Sequence, residues 1–212
     1  MIFADRTEAG ARLAEALRHL GPNAVVLAIP RGGVIVGEVV ARDLGVPLDV
    51  VVPRKVGAPG NPELAIGAVA PGIRVLDPRM VRALGVSERY LEREIATQEA
   101  EIERRQHAYR GGRSPQPVAG RVAVVVDDGV ATGSTAVAAL RWARAQGAER
   151  VVLAVPVAPP QTLERLRAEA DEVVVLETPQ PFLAVGEWYR DFDQTTDEQV
   201  VSALARAAGT RA

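Results

Sequence analysis

Two carboxylates, Asp127 and Asp128, stand side by side at the end of an apolar run in "VVVDDGVATGST" (124–135). The next residues, Ala131, Thr132, Gly133, Ser134 and Thr135, are small or carry a hydroxyl, and a helical pattern begins directly after them. Such a loop brings backbone N–H groups, hydroxyls and a helix N-terminus to one place, which is an anion site suited to a phosphate monoester. Two acids a few residues upstream would meet hydroxyl groups on the same ligand, or a Mg²⁺ associated with it. Phosphate plus vicinal hydroxyls describes a ribose 5-phosphate. The plain structural alternative is a strand-to-helix turn in which an aspartate caps the helix. One acid would do that, and two adjacent acids followed by four Ser, Thr or Gly residues in five exceed what a turn requires.

Other phosphate motifs fit this chain less well. A P-loop needs G-x-x-x-x-G-K-[ST], and no lysine follows here. A dinucleotide-binding turn needs G-x-G-x-x-G after the first strand, which "PRGGVIVG" does not supply. A phosphoacceptor receiver needs a lysine after a late strand, and Lys55, the only lysine among 25 Lys and Arg, comes too early. Lys55 lies in "VVPRKVGAPGNPE" (51–63), where the Gly/Pro content over 54–65 predicts a loop.

The elements that must position these residues alternate between strand and helix. "DRTEAGARLAEALRHL" (5–20) predicts an amphipathic helix stopped by Gly21-Pro22. "NAVVLAIP" (23–30) and "VPLDVVVP" (46–53) predict buried strands around a helix over 34–45. "IGAVA" and "IRVL" predict short strands about a Pro71-Gly72 turn. Residues 78–110 predict charged helix with a thin apolar stripe (Tyr90, Leu91, Ile95, Ile102), much of it facing solvent. After the linker "GGRSPQPVAG" come a strand (121–126), a helix (136–147), a strand (149–157), a helix (159–170) and a strand (171–177). The tail from Thr178 breaks the pattern and gathers Phe182, Trp188, Tyr189 and Phe192 in a chain that is 4% aromatic. The expectation is an α/β fold with a mainly parallel central sheet and helices on both faces, because the strands are continuously apolar. Ligands bind such sheets beyond the carboxyl ends of the strands. Three loops there carry unusual residues: "PRGG", "PRKVGAPGNPE" and "DDGVATGST".

The bulk composition narrows the function. The 212 residues, 48% hydrophobic and 25% charged, fit one domain or one domain with a small appendage. A net charge of −2 offers no basic surface for nucleic acid. The absence of cysteine excludes disulfides, thiolate zinc sites and cysteine nucleophiles and is compatible with a reducing cytoplasm. Asp5, Glu8 and Glu15 argue against a signal peptide, and no uncharged apolar run reaches membrane-spanning length. His19 and His107 have no partner pattern and read as surface residues.

"VVVDDGVATGST" resembles the phosphoribosyl-pyrophosphate (PRPP) signature of the type I phosphoribosyltransferases. "IPRGGVIVGEVVARDLG" is similar to the pyrophosphate loop of xanthine-type members, and "PRK" to the opening of the mobile catalytic loop in adenine and orotate members. The resemblance implies a core over 1–176 with a helical insertion at about 78–113, and a C-terminal hood over 177–212. It implies transfer of 5-phosphoribosyl from PRPP to a nitrogen acceptor, usually a nucleobase, with release of pyrophosphate, using Mg²⁺ in the cytoplasm. Family habit adds a homodimer, with neither nucleic acid nor membrane as partner. The implied roles are 5-phosphate binding by Ala131, Thr132, Gly133, Ser134 and Thr135, and pyrophosphate binding by Arg31, Gly32, Gly33, Lys55 and Arg190. Asp127 and Asp128 would serve ribose hydroxyls and Mg²⁺. In the family the pyrophosphate loop often holds a cis peptide. Lys55 would open a mobile loop and follow the leaving phosphate as charge builds up. Arg31, Lys55, Asp127 and Asp128 form the implied catalytic set.

The acceptor evidence points two ways. Ala131 stands where 6-oxopurine members carry an acid, and orotate and adenine members carry Ala or Thr. "PFLAVGEWYRDF" (181–192) faintly resembles the hypoxanthine-guanine hood, which would place Phe182, and with it Trp188 and Tyr189, against a base. Packing of a small subdomain explains the same aromatics. The competing function is a non-catalytic sensor of PRPP or a nucleotide on the same fold, with a generic sugar-phosphate module as a third. Sensors of this kind usually carry a nucleic-acid surface and often lose catalytic-loop residues, so the retained set favours catalysis. Gly129, where the family has an aliphatic residue, departs from the pattern, as does the length of 78–113.

Overall fold

A computed structural model describes residues 2–209. The first helix, α1 (Arg6–Ala16), starts where Asp5 accepts a hydrogen bond from the Glu8 amide at 2.8 Å. β1 (Ala24–Ala28) is buried throughout. α2 (Gly32–Leu44) ends at Gly45, whose φ of 68° is the left-handed conformation that closes a helix. β2 (Leu48–Val50) follows. Next come β3 (Arg54–Ala58), β4 (Asn61–Ala70) and β5 (Ile73–Leu76), then α3 (Pro78–Ala83) and α4 (Glu88–Arg110). The chain continues with β6 (Val122–Val126), α5 (Ser134–Ala145), β7 (Arg150–Val157), α6 (Pro160–Arg167), β8 (Glu172–Glu177) and α7 (Asp197–Gly209).

Five strands form one sheet in the order β2-β1-β6-β7-β8, all parallel. Alternation along β1 shows why the strands read as continuous apolar runs. Ala24, Val26 and Ala28 face the cluster built with α1, α2 and α7, while Val25 and Leu27 face the one built with α5 and α6. Each buried valine or leucine contributes about 1.5–3 kcal/mol against exposure. The register fixes where the loops leave. Ala28 pairs with both Val50 and Val126, and Val126 with Ala154, so the carboxyl ends finish level. The "PRGG" and "DDGVATGST" loops therefore emerge side by side. No described helix is long and apolar enough to cross a membrane.

Two expectations are corrected. Residues 54–65 are not a loop, because β3 and β4 pair there as an antiparallel hairpin, with β5 completing a second, three-stranded sheet. Val56 and Ala58 are buried in the core, and the ladder satisfies backbone groups that the Gly/Pro content seemed to leave open. Besides Lys55, the exposed part is the tip, 59–64, turning on Gly60 at φ 74°. The tail also holds a helix that the pattern did not predict. Val200, Ala203 and Leu204 of α7 join the cluster built with α1 and α2.

The stripe on α4 is as thin as expected. Its buried positions are Ile95, Ile102 and Tyr109, at every seventh residue. The Tyr109 hydroxyl donates to Asp197 Oδ1 at 2.8 Å, tying α4 to the start of α7, and burial with that bond pushes its pKa up to about 12.

Candidate active site

Asp127 and Asp128 follow β6 directly at the level carboxyl edge. They are more enclosed than the strand-end reading expects. Both keep some surface, yet their carboxyl groups sit deep among protein atoms. Burial, and then the neighbouring charge of Asp128, pushes the Asp127 carboxyl well above the usual carboxylate range. Burial also raises Asp128, and a hydrogen bond and charge from Arg6 oppose it. Arg6 Nε lies 2.8 Å from Asp128 Oδ2. Asp127 Oδ1 accepts the Asp128 amide at 2.9 Å, which holds the two side chains in one turn.

The "PRGG" segment is pressed against these acids. A Cβ on Gly32 would fall 1.9 Å from Asp128 Oδ2, and one on Gly33 would fall 2.8 Å from the Asp127 α-carbon. Only glycine allows that approach. The Pro30–Arg31 peptide bond is cis, as the resemblance implied. Arg31 is half-buried at the start of α2, with Nη1 3.7 Å from Asp197 Oδ1.

Residues 131–135 lead into α5, whose N-terminal boundary is Gly133 at φ 79°. Val130 is fixed to β7 through its amide and the Val157 carbonyl at 2.9 Å. The Ala131 carbonyl accepts from Thr162 Oγ1 at 2.6 Å. Among the described residues, no amide from Ala131 to Thr135 is bonded to a protein acceptor, and Ser134 and Thr135 remain half-buried at the mouth. These amides thus stand at a helix N-terminus, an arrangement that suits an anion. Sequence reasoning missed Thr162, which is 8% exposed. Thr162→Val is expected to weaken binding of ribose 5-phosphate roughly fivefold while the protein stays folded, about 1 kcal/mol for one lost hydrogen bond. Titration calorimetry reads this, and an unchanged affinity would detach Thr162 from the loop.

Gly129 now has a reason. A Cβ there would come within 2.5 Å of Val185 Cγ1, so the tail packs directly against this turn.

The remaining candidates divide. Lys55 is exposed on β3, opposite Ala68 in register. Ala68 lies in the cluster with α5, so Lys55 is on the hairpin face turned toward α5, while neighbouring Arg54 turns to Gln98 of α4 at 3.0 Å. Phe182 is half-buried. Trp188 is half-buried too, and its buried indole N–H has no acceptor among the described residues. Tyr189 is a correction. The Tyr189 ring is buried between Phe3 (centroids 5.4 Å apart) and Phe192 (5.0 Å), and its hydroxyl donates to the Asp128 carbonyl at 2.5 Å. It supports the acid loop and presents no face to a ligand. Tyr189 is extended, so the next side chain, Arg190, turns the opposite way, out to solvent and toward Glu8. The arginine that does reach the acids is Arg6. His19 lies on the surface against Glu172, and His107 is exposed on α4.

Comparison with known proteins gives a concordant result. The sequence model of the phosphoribosyl transferase domain matches residues 4–189. Two strain versions of a Mycobacterium tuberculosis protein, provisionally named phosphoribosyl transferases, are each 49% identical over 208 residues, 97% of this chain. The chain spans about half, 47%, of the length of these curated relatives. The crystal structure of TT1426 from Thermus thermophilus is 51% identical, with a TM-score of 0.83 over 97% of this chain and 99% of that one. A purine phosphoribosyltransferase from Pyrococcus horikoshii shares the fold at 17% identity, with a TM-score of 0.50 over 90% of this chain and 93% of that one.

Proposed function

This chain belongs to the phosphoribosyl transferase domain family, and from that premise we propose that it transfers the 5-phosphoribosyl group of PRPP to a nitrogen acceptor of the nucleobase class, releasing pyrophosphate. The observation that carries the reading is the convergence of Gly32, Asp128 and the open turn before α5 at one sheet edge. The amides of 131–135 receive the 5-phosphate. Asp127 and Asp128 receive the ribose hydroxyls. Arg31 and the amides of Gly32 and Gly33 receive pyrophosphate, with Lys55 arriving from the hairpin.

The bond from C1 to the pyrophosphate oxygen breaks as the acceptor nitrogen approaches C1, and the ribosyl group passes through an oxocarbenium-like state. Positive charge develops over two enclosed carboxylates and negative charge develops beside the cationic loops, so fixed groups stabilise both ends. Asp127 and Asp128 are the residues that would meet a Mg²⁺ carried on PRPP. Among the described residues no group of three or more His, Cys, Asp or Glu side chains forms a protein cage. That donor set fits an ion that keeps phosphate oxygens and waters and neutralises the leaving group.

A panel of nucleobases incubated with PRPP and Mg²⁺, with pyrophosphate measured, tests the proposal. The expected result is release that needs one particular base. PRPP binding without release on any base would favour the sensor reading instead.

A further inference from the structure

Arg6 is held from several directions. Its Nε donates to Asp128 Oδ2 at 2.8 Å and its Nη1 to the Asp193 carbonyl at 2.8 Å. Its guanidinium lies 3.9 Å from the centroid of the Phe192 ring. The side chain is only 12% exposed, and that of Asp128 only 15%. An arginine normally keeps much rotamer freedom, and these contacts remove it. The support is built from both ends of the described chain. Phe3 N donates to the Trp188 carbonyl at 2.8 Å, Arg190 N to the Phe3 carbonyl at 2.8 Å, and Asp191 N to the Ala4 carbonyl at 2.9 Å. The segment before α1 is thereby zipped to the tail that supplies Phe192 and Asp193.

We propose that Arg6 is a positioning residue for Asp128, setting the direction of its carboxylate for the ribose hydroxyls; this rests on the phosphoribosyl-transfer reading. With Oδ2 held by Arg6, rotation of the carboxylate is restrained. Tyr189 holds the carbonyl of the same residue, so Asp128 is braced at both ends by groups distant in sequence. Arg6 also borders the pyrophosphate loop, since a Cβ on Gly32 would lie 2.8 Å from its Nε. It is the cation placed between Gly32 and Asp128. Orientation of a group that acts on developing charge shows in the transition state more than in the ground state.

Arg6→Gln and Arg6→Lys test this, with kcat, KM for PRPP, calorimetric PRPP·Mg²⁺ affinity and melting temperature measured for each. Arg6→Gln is expected to lower kcat roughly tenfold or more, as loss of an orienting partner does, with a smaller change in KM. Arg6→Lys should recover part of the loss, because the charge returns without the planar fork. If wild type binds PRPP without turnover, the same ordering of the three proteins in affinity supports the role. Arg6→Gln kinetics within about twofold of wild type would overturn it. Equal losses in both variants, tracking a lowered melting temperature, would show a merely structural arginine and overturn it too. Wild-type protein that neither binds PRPP·Mg²⁺ nor releases pyrophosphate would instead remove the underlying reading, and this role with it.

Discussion

Asp127→Asn/Asp128→Asn is expected to fold and to release no measurable pyrophosphate, a loss of at least about a thousandfold if each acid is worth what one well-placed charge-stabilising group is worth. The fold should survive because an asparagine in place of Asp127 keeps a side-chain oxygen for the next backbone amide, and because the strand below the acids is held by Val124, Val125 and Val126 in the two core clusters. The single variant Asp127→Asn separates function from stability further. Asp127 is raised by burial and by the charge of Asp128, so at neutral pH its ionised form works against the free fold. Its replacement leaves the Arg6–Asp128 pair intact and removes the repulsion. The expected gain is about 0.5–2 kcal/mol, a rise of roughly 2–4 °C in Tm per kcal/mol for a domain of this size. Thermal unfolding beside a pyrophosphate assay reads both. Near-normal activity in the double variant would sink the mechanism. A lowered Tm in Asp127→Asn would show that the acid contributes to the fold.

The diacid, the turn at 131–135 and the Gly32-Gly33 approach were legible in the sequence because each is a local requirement. A Gly at a close approach and a hydroxyl-rich turn before a helix announce themselves within a few residues. The parallel sheet was legible for a similar reason, since strands covered on both faces are continuously apolar. The hairpin at 54–70 was not. Gly57, Pro59, Gly60 and Pro62 favour turns locally, and pairing with the apolar end of β4 overrides them. Arg6 was illegible as a site residue, and Tyr189 was read against a base and not the Asp128 carbonyl, because their partner is 122 and 61 positions away. One signal for Arg6 was present. It is the first residue of α1, where the helix dipole disfavours a cation. An arginine kept at that place indicates a partner outside the helix, and Asp128 is that partner.

Lys55→Ala is expected to lower kcat and kcat/KM together by roughly a hundredfold, about 3 kcal/mol for one charge-assisted contact to a developing anion. The reason lies in where charge changes. Pyrophosphate gains charge on its bridging oxygen only as the bond to C1 breaks, so a cation that meets it then stabilises the transition state more than bound PRPP. PRPP affinity should therefore change little. Lys55 projects from β3 on the face toward α5, exposed, and it has no share in the core that Val56 enters beside it. Because the hairpin is paired, the motion needed is that of a four-carbon side chain, with the backbone lid of the sequence reading replaced by a fixed strand. Lys55→Arg should restore activity only in part, since the guanidinium keeps the charge and loses the compact, mobile geometry. Melting temperature should be unchanged in both variants, as the side chain is solvent-exposed. Full activity in Lys55→Ala would return this lysine to the surface charges. A loss confined to PRPP affinity would make it a ground-state contact, with the departing phosphate stabilised by Arg31 and the loop amides alone.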